Sequence, residues 1–265
     1  MNDKKIAIFD SGLGGLTVLK ALKNILPNEN YLYFGDVAHL PYGNKSKDAV
    51  IKYSEKIIQF LIQDQIKIII FACNTASSFA LDYIKQKFTI PMIGAINPSI
   101  LYALRKTKNQ NIAVIGTEAT ISSNIYQTLI KNNNQDAKIL ALSCPLFVPI
   151  IEEGWHNTTT AMNVAEIYLK RINQSDTDTL ILGCTHYPQL QATLQSVINK
   201  NIELIDCSLA IAEATKRYIS SNNLLNTQKE VNEIEFFVTD LPQKFNFMGS
   251  QFLGEKITNI QKVEI

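Results

Sequence analysis

Two short apolar runs, each stopping on a cysteine, decide most of what this chain can fold into. Lys67 to Thr75 reads Lys-Ile-Ile-Ile-Phe-Ala-Cys-Asn-Thr, and Thr179 to Pro188 reads Thr-Leu-Ile-Leu-Gly-Cys-Thr-His-Tyr-Pro. A short apolar run without alternation is a strand covered on both faces, as in a parallel sheet. Polar groups just past the carboxyl end of such a strand fall in the crevice where α/β proteins bind ligands. Cys73 and Cys184 are therefore expected to face each other across one site.

The segments around these runs repeat one order. A strand at Ile6–Phe9 ends in the turn Asp10-Ser11-Gly12-Leu13-Gly14-Gly15, and a helical face follows over Thr17–Leu26. A strand at 31–34, a turn at Pro41-Tyr42-Gly43-Asn44 and a helix over 48–63 lead to the Cys73 strand. A helix near 76–87, a strand at Met92-Ile93 and one turn of helix after Pro98 come next. The plan then restarts. A strand at 111–115 ends in Gly116-Thr117, with helical spacing at Ile121, Ile125 and Leu129. A strand at 138–142, a loop over 143–149 and a helix from Ala161 to Ile172 lead to the Cys184 strand. A helix near 189–199 and a strand at 202–205 complete this second series.

The tail predicts a helix over 208–220, a polar connection over 221–230, a strand at 235–239, a helix ending near Gly254 and a last strand. Alternating strands and helices predict an α/β fold with two similar parallel-sheet domains related by pseudo-symmetry and a site in the cleft between them. The tail is expected to return to the first unit. The first domain would then comprise 1–96 plus 208–265, and the second 97–207.

Composition narrows the function classes. A chain of 265 residues with 46% hydrophobic and 18% charged residues is globular. A net charge of +1 gives no field that suggests nucleic acid. No run approaches the roughly 18 apolar residues of a membrane span. The apolar piece after Met1-Asn2-Asp3-Lys4-Lys5 is too short for a signal-peptide core, so a cytoplasmic protein is expected. None of the four cysteines has C-x-x-C spacing. Cys144 and Cys207 read as small buried apolar groups.

The glycines after Asp10 lack the third glycine of a dinucleotide fingerprint, since Thr17 stands there. They suit close approach of backbone amides to a small anion at a helix start. Cys184 and His186 could supply two metal ligands, but no partner set is visible and no metal is expected. His39 and His156 read as ordinary loop residues. Two cysteines in one cleft suit a different chemistry. A thiolate on one side removes a proton while a thiol on the other delivers one, and a thiol titrates close enough to neutrality for both roles. The outcome is inversion of a carbon stereocentre. Asp10 and His186 are placed to poise these protons. Ser11, Tyr42, Asn74, Thr75 and Thr185 offer hydrogen bonds to an amino acid.

Five motifs in order, Asp10-Ser-Gly-Leu-Gly-Gly, Pro41-Tyr42-Gly43, Cys73-Asn74-Thr75-Ala76, Cys144-Pro-Leu-Phe-Val-Pro149 and Gly183-Cys-Thr-His-Tyr-Pro188, resemble the glutamate racemase family. The resemblance implies an isomerase that needs no pyridoxal phosphate or other cofactor. It implies interconversion of L- and D-glutamate, with D-glutamate going to peptidoglycan. It puts the two bases at Cys73 and Cys184, assisted by Asp10 and His186. It puts substrate contacts at Asp10, Ser11, Pro41, Tyr42, Gly43, Asn74, Thr75, Thr185 and His186, with Thr117, Thr120 and Glu152 near the site. A homodimer without nucleic-acid or membrane partners is expected. Two rivals stay open: a related racemase acting on aspartate or a hydantoin, and a binding module that kept the fold without the reaction.

Overall fold

Strand β1 (Lys5–Asp10) carries apolar side chains on both faces: Ile6 and Ile8 enter one core cluster, Ala7 and Phe9 the other. That is the pattern of a strand with helices on both sides. The computed structural model describes residues 4–226 and 233–265. The chain runs from β1 through α1 (Leu16–Ile25), β2 (Tyr31–Gly35) and α2 (Lys47–Leu61) to β3 (Ile66–Phe71). It continues through α3 (Asn74–Phe79), α4 (Leu81–Lys87), β4 (Met92–Gly94) and α5 (Ile96–Lys106). The second series comprises β5 (Asn111–Gly116), α6 (Glu118–Ser122), α7 (Ile125–Asn133), β6 (Lys138–Ser143) and α8 (Phe147–Glu152). Then come α9 (Thr159–Asn173), β7 (Thr179–Gly183), α10 (Gln191–Val197) and β8 (Glu203–Asp206). The tail holds α11 (Cys207–Ser221), β9 (Ile234–Val238), α12 (Pro242–Leu253) and β10 (Ile260–Lys262).

All strand pairs are parallel, in two sheets of order β10-β9-β2-β1-β3-β4 and β6-β5-β7-β8. Strands β2-β1-β3-β4 of the first sheet and β6-β5-β7-β8 of the second follow one topology. In each, the chain reverses its strand order beside the first strand, where ligands bind in open α/β sheets. The tail adds β9 and β10 to the first sheet beside β2.

The two units share apolar packing. One cluster holds Ile8, Leu19 and Ile70 of the first unit together with Ile115, Ile181 and Leu182 of the second. Ile100 on α5 and Ile211 on α11 are fully buried within it, each contributing roughly 1.5–3 kcal/mol by leaving water. The other cluster lies on the far face of the first sheet, under Val50, Ile57 and Leu61 of α2.

Five local expectations need correcting. Helix α5 is three turns long and starts before Pro98; proline fits the first turn because that amide needs no helical partner. The expected loop over 143–149 turns into α8 at Phe147, again with Pro149 in the first turn. The single helices expected over 76–87 and near 121–129 are each broken in two, at Ala80 (φ −110°) and at the left-handed Asn124 (φ 55°). The polar connection over 221–230 is anchored at Leu224, whose carbonyl accepts from the buried Lys67 ammonium at 2.9 Å, while Lys67 also pairs with buried Glu29. Residues 227–230 of that connection, like Met1–Asp3, lie outside the described residues.

Candidate active site

Equivalent strand ends from the two sheets converge on one cavity. Asp10 is the last residue of β1, and Cys73 stands two residues past β3. Thr117 follows β5 and Cys184 follows β7. The cavity is about 30 Å³ and is lined by both cysteines, Ser11, Asn74, Thr75, Thr185 and His186, among others. A water needs roughly 10–15 Å³ of such space, so the cavity has room for two or three waters.

Cys73 caps α3: its sulfur accepts from the Ala76 amide at 3.5 Å. Burial, and then the nearby Asp10 carboxylate, push its thiol up to about 12, against the Ser11 hydroxyl and the Ala76 amide, which favour the thiolate. Asp10 is fully buried behind the cavity wall. It accepts from the Gly12 amide at 3.0 Å and from the Thr185 hydroxyl at 3.3 Å. Burial raises its pKa, opposed by the charge of His186 and by the Gly12 and Gly15 amides. The anion expected at the glycine turn is thus the protein's own carboxylate. Gly14 serves a different end: a methyl group there would meet Thr185 Oγ1 and lie 2.6 Å from His186 Nδ1. Only glycine lets this turn of the first unit touch the second so closely.

Around Cys184 the charges have the opposite sign. Its sulfur lies 3.9 Å from His186 Nδ1, and His186 Nε2 lies 3.1 Å from Glu152 Oε1 at the end of α8. Burial alone would lower the pKa of His186; the bonds to Cys184 and Glu152 outweigh it and raise it to about 10. At neutral pH this ring is an imidazolium, and it sets positive charge against the sulfur.

Between the cysteines the units are bridged by hydroxyls. Thr75 Oγ1 lies 3.0 Å from Thr117 Oγ1 and 3.1 Å from Thr120 Oγ1, which are 3.0 Å from each other. Thr117 also caps α6 through the Thr120 amide. Tyr42 is held from behind, donating to buried Asp36 at 2.6 Å. Asp36 in turn accepts from Thr239 at 2.8 Å and bonds His39 Nδ1 at 2.8 Å, so His39 is part of this support rather than a free loop residue.

Of the residues predicted from the sequence, Pro41, Tyr42, Gly43, Thr117, Thr120 and Glu152 also line the cavity. Asp10 alone does not; it reaches the site through Thr185 and Cys73. Cys144 and Cys207 are buried away from it, and Cys207 donates to the Leu182 carbonyl at 3.1 Å. The sequence reading missed Leu40 and Val148, which line the cavity, and Asp36 and Tyr126 behind it. Tyr126 donates to Asn74 Oδ1 at 2.7 Å. Leu40 and Asp36 flank a motif that was read; Tyr126 looks like any core aromatic on a helix.

Two sheets of one topology thus bring a thiol from matching strand ends to each wall of one cavity, and comparison with known proteins puts the chain in a class of racemases. The Asp/Glu/Hydantoin racemase family model matches residues 15–215, and the chain belongs to that family. Within it the chain is an enzyme of the glutamate racemase group. It is 40% identical over 262 residues to a glutamate racemase of Geobacter metallireducens, covering 99% of this chain and 97% of that one. A crystal structure of glutamate racemase from Francisella tularensis in complex with D-glutamate matches with a TM-score of 0.93 and 38% identity, covering 100% of this chain and 98% of that one. The Escherichia coli glutamate racemase, solved with L-glutamate and the activator UDP-MurNAc-ala, matches with a TM-score of 0.80 and 25% identity over 98% of each chain. No helix among the described residues is long and apolar enough to cross a membrane.

Proposed function

We propose that the chain interconverts L- and D-glutamate by two-base proton transfer at the α carbon, with Cys73 and Cys184 as the bases. One sulfur, as thiolate, takes the α proton and leaves its electron pair on the α carbon, conjugated with the carboxyl group. The other, as thiol, returns a proton to the opposite face. A proton is exchanged and nothing is oxidised, so the balance closes with the two thiols and no cofactor. The observation that carries this reading is that one cysteine from each unit lines the same cavity, with Asp10 beside one and His186 beside the other.

The remaining assignments follow from the lining. Asn74, Thr75, Thr117 and Thr120 offer neutral hydrogen bonds to the carboxylates, and Tyr42 and Gly43 close the same wall. Ser11, Pro41, Thr185 and Glu152 complete the substrate shell. The relatives' complexes with D- and L-glutamate support glutamate as the substrate. The division into 1–96 plus 208–265 and 97–207 is retained as our reading of the two units. The same reading assigns D-glutamate to peptidoglycan synthesis, the enzyme to the cytoplasm and the assembly to a homodimer.

The test is to incubate the purified protein with L-glutamate in deuterated water without added pyridoxal phosphate. Deuterium should enter the α position as optical rotation decays to zero. Rotation that decays without deuterium uptake, or turnover that requires added pyridoxal phosphate, would overturn the two-base reading. Faster turnover of aspartate than of glutamate would reassign the substrate.

A further inference from the structure

Asn74 is almost completely buried, yet its side-chain nitrogen has no hydrogen-bond partner. A buried unmatched N–H group is costly, and such atoms in native proteins ask for an explanation. The other end of the amide is occupied. Asn74 Oδ1 accepts from the Tyr126 phenol at 2.7 Å. Asn74 lines the cavity beside Cys73, and its unmatched nitrogen is the end of the amide that Tyr126 does not hold.

Tyr126 comes from the other unit. It lies in the first turn of α7, and its ring sits close to Gly183, where an added methyl would be 3.4 Å from the ring. The phenol has two other polar neighbours among the described contacts, the hydroxyl of Ser99, which donates to the Ala95 carbonyl at 2.6 Å, and the sulfur of Cys207 at 4.0 Å. That thiol donates elsewhere, to the Leu182 carbonyl at 3.1 Å. The strong bond of the phenol is therefore the one to Asn74. An amide has one acceptor and one donor end on a rigid plane, so fixing the oxygen fixes where the NH₂ points.

We infer that Tyr126 is a positioning residue, which locks the Asn74 carboxamide with its NH₂ ready to bond a carboxylate of the substrate. This rests on glutamate being the substrate. The second unit thereby sets the affinity of a donor that the first unit carries. Burial holds the phenol well above its ordinary range, so it remains a donor throughout the working pH range. The arrangement also explains why the orphan nitrogen is tolerated. The amide does not turn to satisfy itself, because turning would break the bond to Tyr126 and leave its oxygen facing anionic ligands.

The test is a double-mutant cycle on the full-length enzyme, with KM and kcat in both directions and the dissociation constant of D-glutamate by calorimetry. Tyr126→Phe keeps the ring and removes one neutral hydrogen bond. It should raise KM and the dissociation constant about 5- to 10-fold, with kcat changed less than about twofold. On an Asn74→Ala background the same change should have no further effect, because it acts only through the amide. An unchanged KM in Tyr126→Phe, or an equal loss on the Asn74→Ala background, overturns the assignment. Asn74→Asp supplies a check that does not depend on Tyr126→Phe folding. It turns the donor into an anion and should weaken glutamate binding more than Asn74→Ala does; binding as tight as wild type overturns the donor-facing amide. Wild-type enzyme without glutamate turnover would refute the function instead, and leave the geometry at Tyr126 to be judged by D-glutamate binding alone.

Discussion

The two halves of the site share a topology and differ in charge. β3 of the first sheet and β7 of the second are each followed within two residues by a cysteine, and each cysteine opens a polar tripeptide. Around Cys73 stands a buried carboxylate, Asp10, with the Ser11 hydroxyl and a helix amide. Around Cys184 stands a buried imidazolium, His186, steadied by Glu152. The repeat supplies the positions of the sulfurs, and the residues next to them in space supply the poise. Burial and Asp10 push the Cys73 thiol up to about 12, while Cys184 stands 3.9 Å from His186 Nδ1. In the two-base reaction proposed above, one sulfur starts each turnover as thiolate and the other as thiol, and the two have exchanged states at its end.

The largest effect that could break this comparison comes from the sulfurs themselves. Cys73→Ala and Cys184→Ala should each lower kcat/KM by about 10²–10⁴-fold, the range of a positioned acid or base. A variant with near wild-type turnover would remove that sulfur from the mechanism. Next come the groups that poise them. His186→Asn and Asp10→Asn should each cost about 10- to 100-fold in kcat/KM. L- and D-glutamate are equal in energy, so kcat/KM must fall equally in both directions for any variant. The difference between the halves should appear in kcat and in the α-deuterium isotope effect, which should become unequal between directions and in opposite senses for the two variants. Matching changes in both variants would show that the two walls are interchangeable.

A smaller change sharpens the Cys184 side alone. Glu152→Gln removes the carboxylate on His186 Nε2, so the imidazolium should lose its proton at lower pH than the value of about 10 it holds now. The alkaline limb of the kcat profile should move down in pH, with only a few-fold loss at neutrality, and a profile that stays in place would remove His186 from the limb. The smallest effect is on stability. His186 is raised from 6.5 to about 10, so its contribution is full below pH 6.5 and is lost as pH rises through 10. Cys73 is raised from 9.0 to about 12, so its folded form keeps a proton that the unfolded chain releases above pH 9. Denaturant midpoints should fall across both windows. His186→Asn should flatten the curve between pH 6.5 and 10, and Cys73→Ser only above 9.

The sequence was most readable where periodicity and position agree. The apolar runs at Ile66–Phe71 and Thr179–Gly183 could only be buried strands, and polar residues at their ends could only face a crevice. Both sulfurs and their flanking Asn74, Thr75, Thr185 and His186 followed from that. Prolines misled where they sat in first turns, as Pro98 and Pro149 do, because a breaker in mid-helix is harmless at its start. Asn124 looks like part of a continuous helical face until its left-handed backbone is seen. Two contacts between units carried no sequence signal. Gly14 reads as a turn glycine, but its requirement comes from His186, far along the chain. Tyr126 reads as core and reaches Asn74 only because the two sheets meet there.

The tightness of the closed cavity has a bearing on the enzyme's survival. Oxidation of cysteine follows exposure and thiolate character, and both sulfurs here are nearly sealed. With Cys73 only 6% and Cys184 only 7% exposed, peroxide should attack them more slowly than it attacks a thiol free in water, so the same walls that shape the site also shelter its sulfurs.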